Sequence, residues 1–286
     1  MAPHLNNDTL ATDLAPGSLA PVKKTSYENG KTTGSSSSNA LRALSQGVTL
    51  PGRPLFTDIE KSRYHMLEHM AGAFRVLARH GCVEGISGHI SLRDPEDASV
   101  FWTNPLGLHF ALLKPQDMIL LDTEGQVVGG NTSHPANAAG FLIHRALHEA
   151  RSDVNAACHF HSPHGKAWSA FAQPLEMINQ DVTIFYGAAQ AVYGDFEGIV
   201  LKDEESEALA KSLGREGKGM ILRNHGLLTI QLAADAAAAC GRQKVFIEDE
   251  AARYTFEMTS DPDSLYAEFQ PYLQYESAMT AGGLPY

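Results

Sequence analysis

An α/β domain behind a low-complexity leader is the fold class this sequence predicts, and three observations carry it. Segments of helical spacing alternate with short strand-like segments from about residue 55 onward. Residues 1–50 mix Asn, Thr, Pro and Gly with the tract GSSSSN and hold no sustained apolar period, as expected of a disordered leader. The chain, at 286 residues, suits one large domain, expected over 51–260, with 261–286 left as a C-terminal arm or tail.

The first helix is expected at TDIEKSRYHMLEHMAGAFRVLARHG, residues 57–81. Thr57 and Glu60 make a capping box, Met66, Met70, Phe74 and Leu77 form one apolar stripe, and Gly81 supplies the stop. Strand candidates follow at HISLR (89–93), SVFWTN (99–104), DMILLD (117–122) and QVV (126–128), with Gly85, Gly88 and Gly107 marking tight backbone. A helix is expected from about Asn137 to Ala150. In DVNAACHFHS (153–162) Val154, Ala156, Cys158 and Phe160 alternate with Asn155, Ala157, His159 and His161, so that His159 and His161 share one strand face. A short helix after Pro163, the segment NQDVTIFYGAAQAVY (179–193) and an acidic helix DEESEALAKSLG ending at Gly214 precede the strand GMILRNHGLLTI (219–230). A long Ala-rich helix, roughly Ala233 to Met258, closes the domain.

Composition narrows the function classes. The 33 acidic against 22 basic residues give a formal charge of -11, and no block of Lys and Arg stands out that could track a phosphate backbone, so nucleic acid is not an expected partner. Cys82, Cys158 and Cys240 are odd in number and widely spaced, which suggests neither a disulfide framework nor a thiolate zinc knuckle and fits a reducing interior. No apolar leader and no run near the ~18 apolar residues of a membrane span is present, so a cytoplasmic protein without a membrane partner is expected.

The chemistry concentrates in ACHFHSPHG, residues 157–165, with three histidines in six residues. Two imidazoles at i and i+2 of a strand point the same way, and His225 in the turn RNHG of another strand could complete a set of three nitrogens. Such a set leaves coordination positions open for water and substrate, as catalytic sites do. From spacing alone, metal ligation and ordinary hydrogen-bonding histidines both stay open. His164, after Pro163, leaves the strand register and is expected to be a pocket wall or a group that supports the ligands, rather than a ligand. His65, His69, His80, His109, His134, His144 and His148 are expected on the surface or in the core, although His144 and His148 stand at i and i+4.

Taken in order, GISGHISLR, TNPLGLHF, FLIHRALHEARSDV, HFH at 159–161 and NHG at 224–226 resemble the class II aldolase/adducin superfamily over about Leu55 to Met258, closest to its adducin-like branch with fungal members. The resemblance implies a three-layer αβα fold with a central, largely antiparallel sheet, one divalent metal ion on His159, His161 and His225, and substrate contacts near Gly88, His89 and Gly107. Zn²⁺ is the default for three neutral imidazoles and Fe²⁺ is the alternative. It also implies a homo-oligomer, often a tetramer, with sites between neighbouring subunits.

The departures from the superfamily pattern shape the functional expectation. Where the aldolases carry their catalytic acid this chain has Gly140. Ala138 and Ala139 stand for two phosphate-binding serines, while His89 and Leu106 stand for two further phosphate contacts. A small unphosphorylated oxo or hydroxy compound is therefore the expected substrate of a metal-dependent lyase. Decarboxylation of an oxo acid needs no base to begin, whereas retro-aldol cleavage must remove a hydroxyl proton. For that proton the candidates are a metal-activated water, Asp181, Tyr186 and Glu84. The alternatives are a non-catalytic adducin-like binding module and an iron oxygenase on the same three histidines. The chain ends in AMTAGGLPY without the basic tail on which adducin relies, which favours the enzyme.

Overall fold

The computed structural model describes residues 32–35, 38–195, 202–226 and 246–279. Its elements run β1 (Thr32–Ser35), α1 (Asn39–Leu44), β2 (Pro54–Phe56), α2 (Ile59–Arg79), β3 (His89–Arg93), β4 (Phe101–Thr103), β5 (Ile119–Leu121), β6 (Val127–Gly130), α3 (Ala138–Ala150), β7 (Ala156–His159), α4 (Pro163–Ser169), β8 (Gln190–Tyr193), α5 (Asp203–Leu213), β9 (Gly219–Leu222), α6 (Asp249–Thr259) and α7 (Pro262–Met279). No helix among the described residues is long and apolar enough to cross a membrane.

The central sheet is antiparallel throughout, in the order β6-β5-β4-β3-β7. Strand alternation divides its two faces. Ile90, Leu92, Trp102 and Leu120 pack with Leu67, Met70 and Phe74 of α2 in one core, while Ser91 and Phe101 turn the other way and meet His148 of α3. Helices on both faces of a mostly antiparallel sheet are the αβα layering expected from the sequence. A second core joins Ile143 of α3, Leu209 of α5 and Tyr193, Met220 and Leu222 of the β8-β9 pair, whose strands run parallel as a crossover through a helix requires.

Helix α2 starts one residue later than the Thr57 capping box implies. Asp58 is the cap, its carboxylate accepting from the Lys61 amide at 3.1 Å. The helix ends as expected, with Gly81 at φ 72° and the Cys82 amide reaching back to the Leu77 carbonyl at 2.9 Å. Helix α3 is capped by Asn137, which accepts from the Gly140 amide at 3.0 Å.

Two boundaries differ from the sequence reading, and a third is decided between its alternatives. Within residues 1–50, expected as a leader, β1 pairs with β2, and α1 is capped by Ser38 and buries Leu41 to 3 % exposure. One apolar residue on a short capped helix is enough to dock it, and a period search over fifty residues dilutes that signal. The Ala-rich helix falls mostly outside the described residues. At its described end 246–248 are not helical, and α6 begins at Asp249 and runs to Thr259. Of the arm and the tail left open for 261–286, the described residues form an arm: α7 is anchored to α2 by Arg79 and Glu276 at 2.6 and 3.0 Å.

Candidate metal centre

His159 is the last residue of β7, and the chain turns immediately into α4, where Ser162 caps by accepting from the Gly165 amide at 2.9 Å and Pro163 takes the first helical position. The strand expected to reach His161 therefore stops two residues earlier, yet the two rings stay on one side of the turn, 5.0 Å apart. His225 follows β9 in a turn that needs a left-handed residue. Asn224 supplies it at φ 56°, its amide bonded to the Ser169 carbonyl at 3.1 Å, which ties the turn to the end of α4.

The three imidazoles meet nearly edge to face. Centroids of His159 and His225 lie 4.8 Å apart and those of His161 and His225 5.1 Å apart, at interplanar angles of 77° and 76°. One ligand nitrogen from each falls within 4.8 Å of the others. Nε2 of His159 and Nε2 of His161 are 3.1 Å apart, close to the ~3.3 Å that separates two nitrogens on one tetrahedral zinc at ~2.0–2.1 Å. Glu84 fixes the orientation of His161. Its carboxylate accepts from Nδ1–H at 3.1 Å, which leaves the Nε2 lone pair facing the other rings. Glu84 also pairs with Lys166 of α4, and these two partners hold its carboxyl below the usual range. Burial keeps the imidazole of His159 well below its ordinary pKa and lowers that of His225 as well. Neutral imidazoles are what a divalent ion requires, so the residues present fit one.

Beside this centre stands His89, opposite His159 in the β3-β7 register with its ring 5.1 Å away. Gly88 lets it approach, since at φ 96° a Cβ there would come within 2.8 Å of Phe110. His89 in turn fills the space over Gly140 of α3, where a Cβ would fall 2.4 Å from Cδ2 and 2.7 Å from Nε2 of the imidazole. Its Nδ1 bonds to Nε2 of His144 at 2.8 Å.

Tyr186 and Asp181 are the remaining base candidates. Tyr186 donates to Asp249 and packs on Phe256 of α6. Asp181 opens a short 3-10 turn, Asp181–Phe185. Among the described residues neither has a hydrogen bond or ring contact to the three imidazoles. Glu84, also a base candidate in the sequence, bonds to His161 and Lys166. His164 is exposed on α4, and Gly107 turns at φ 91° with open space around it. The sequence reading gave no role to His144 and His148, which sit behind His89; their i, i+4 spacing against the alternation of His89 and Ser91 was the available signal. A second grouping, His65, Glu68 and His69 on α2, brings ligand atoms within 4.8 Å. There His69 Nδ1 donates to the His65 carbonyl, and Gln270 lies 3.4 Å from its Nε2.

The sequence profile of the Class II Aldolase and Adducin N-terminal domain matches residues 68–246. The chain is 36% identical over 253 residues to the meiotically up-regulated gene 14 protein of Schizosaccharomyces pombe, covering 82% of this chain and 97% of that protein. It is 38% identical over 187 residues to decarboxylase NovR of Streptomyces niveus, covering 65% and 68%. The solved structure of an L-fuculose 1-phosphate aldolase from Glaciozyma antarctica superposes with a TM-score of 0.72 at 33% identity, covering 82% of this chain and 97% of that one.

Proposed function

Because the chain belongs to the class II aldolase and adducin family, we propose that it is a metal-dependent carbon-carbon lyase acting on a small unphosphorylated oxo or hydroxy compound. The observation that carries the reading is the convergence of one nitrogen each from His159, His161 and His225 on one point, with burial holding the pKa of His159 and His225 down. Zn²⁺ is the ion these donors favour, with Fe²⁺ as the competitor. When bound, it supplies Lewis-acid polarisation of a chelating oxo or hydroxy group.

The chain's own residues set the rest. Glu84 holds His161 in the tautomer that presents Nε2. Ala138, Ala139 and Gly140 leave the first turn of α3 without a hydroxyl or a carboxylate, and His89 stands against it. A side of the site without phosphate-binding hydroxyls or a carboxylic acid suits cleavage that begins without removal of a hydroxyl proton, of which decarboxylation of an oxo acid is the simplest. That two similar proteins are described as a decarboxylase and an aldolase supports the reaction class. We also place the chain in a homo-oligomer, a tetramer, in the cytoplasm.

Elemental analysis tests the centre. The purified chain is expected to hold about one divalent ion, and His159→Ala, His161→Ala and His225→Ala each lose it while remaining folded. A metal-free, well-folded wild type grown with ample zinc and iron would end this reading, and the element found decides between zinc and iron.

A further inference from the structure

A row of buried polar side chains runs away from the metal centre between β3 and α3. Nδ1 of His89 meets Nε2 of His144 at 2.8 Å, Nδ1 of His144 meets the Ser91 hydroxyl at 2.6 Å, and that hydroxyl meets Nε2 of His148 at 2.8 Å. Nδ1 of His148 ends the row on the Val154 carbonyl at 3.0 Å. All four side chains belong to buried residues: His89, Ser91, His144 and His148 are exposed by 6, 3, 5 and 1 %. Burial pushes His144 down to about 3 and His148 down to about 4, so each ring carries one N–H and one lone pair.

One end of the row determines the direction of every bond in it. A carbonyl oxygen can only accept, so His148 carries its hydrogen on Nδ1 and offers a lone pair at Nε2. Ser91 then donates to His148 and, with its single hydrogen spent, accepts from Nδ1–H of His144. The lone pair of His144 is left at Nε2, and His89 must donate to it through Nδ1–H. The reverse order would set a ring lone pair against the Val154 carbonyl at 3.0 Å. Arg93 does not rescue it: its Nη2 is 3.5 Å from Nδ1 of His148 but 2.8 Å from the His148 carbonyl, which takes the better bond.

We propose that His144, Ser91 and His148 are positioning residues that lock His89 as its Nδ1–H tautomer, so that its Nε2 lone pair, beside Gly140, selects substrates bearing a hydrogen-bond donor such as a hydroxyl. The tautomer follows from the row itself, and only the link to substrate rests on the lyase reading. A substrate hydroxyl meets an acceptor there, and an ether or a carbonyl oxygen meets a second lone pair. A site with a fixed buried acceptor discriminates between a hydroxyl and its methyl ether far more strongly than an apolar pocket of equal size.

Nitrogen-15 NMR of the full-length, histidine-labelled protein reads the tautomers directly, with the His89 signals identified by their loss in His89→Gln. The spectra are taken on protein stripped of metal and again after loading with zinc. The expected result is a pyrrole-type Nδ1 and a pyridine-type Nε2 for His89 and His144 in both states. Ser91→Ala should convert His89 to a tautomer mixture, and Ser91→Thr, which keeps the hydroxyl, should restore the single form. A pyridine-type Nδ1 on His89 in the wild type, or a His89 tautomer indifferent to Ser91→Ala, overturns the proposal. Should Ser91→Ala fail to fold, the wild-type tautomer alone decides it. Metal content measured on the same samples separates this outcome from failure of the metal-centre reading, because the tautomer is observed without metal.

Discussion

Placing a single methyl group on Gly140 should destabilise the protein chiefly through His89. An alanine Cβ there would lie 2.4 Å from Cδ2 and 2.7 Å from Cγ of His89, where carbon atoms need about 3.5 Å. The ring cannot swing aside freely, since its Nδ1 is held by His144 at 2.8 Å and its face borders His159 at 5.1 Å. Overpacking of this kind costs about 1–3 kcal/mol. If the ring yields, His144 is left with a buried unpaired nitrogen, at about 1–3 kcal/mol. Against this, alanine is favoured over glycine in a helix by up to about 1 kcal/mol. The net expectation for Gly140→Ala is a loss of about 2 kcal/mol. In a His89→Ala background the obstacle is gone and the helix preference alone remains, so the same substitution should become neutral or stabilising by up to about 1 kcal/mol. A double-mutant cycle by urea denaturation of metal-free protein, at fixed protein concentration, should therefore give a coupling of about 2–3 kcal/mol. A neutral or stabilising Gly140→Ala in the wild type, or a coupling below about 0.5 kcal/mol, would refute the reasoning.

Further outcomes follow from neighbouring contacts. Glu84→Gln removes the carboxylate that accepts from His161 and should weaken zinc affinity roughly 10–100-fold in a chelator competition, with the fold unchanged; unaltered affinity would leave Glu84 without a role at the centre. Acid should destabilise the metal-free protein, because burial pushes His144 down to about 3 and His148 down to about 4 in the folded chain, below the ordinary 6.5 of the unfolded one. The unfolded chain then binds more protons below pH 6.5, and stability, full above that value, falls as pH drops toward 4 by up to about 1.4 kcal/mol per unit for each ring. A urea midpoint that stays level from pH 7 to 4.5 contradicts this. Leu41→Ala, at a residue 3 % exposed, should cost about 2–4 kcal/mol, whereas in a leader without structure it would change the melting temperature negligibly.

What the sequence made legible was local. Strand-forming residues bounded by turns placed β3, β4, β5 and β6, and the i, i+2 spacing of His159 and His161 survives even though β7 stops at His159. The cap at Asp58 was missed by one residue because Thr57 and Asp58 both have capping side chains and only the backbone angle chooses between them. Long-range pairings were not legible. His89 faces His159 across two strands far apart in sequence, and α3 delivers His144 and His148 to the same face, so no window along the chain contains the row they form.

Gly140 makes the physical reason plain. Read singly, it suggests only a carboxylate given up. In the folded chain Gly140 and His89 share one volume: the imidazole occupies the space into which any side chain at 140 would grow, and any Cβ there meets it at 2.4 Å. The two residues are therefore one choice. A chain with histidine at 89 needs glycine at 140, and a chain with a carboxylic acid at 140 needs something smaller than an imidazole at 89. Introducing an acid by Gly140→Glu alone should then destabilise the fold for the steric reason that Gly140→Ala does, and by more, because the longer side chain meets the same ring. Paired with His89→Asn it regains the room it needs, so a double variant more stable to urea than Gly140→Glu alone reads out that exchange directly, and a double variant no more stable than the single one contradicts it.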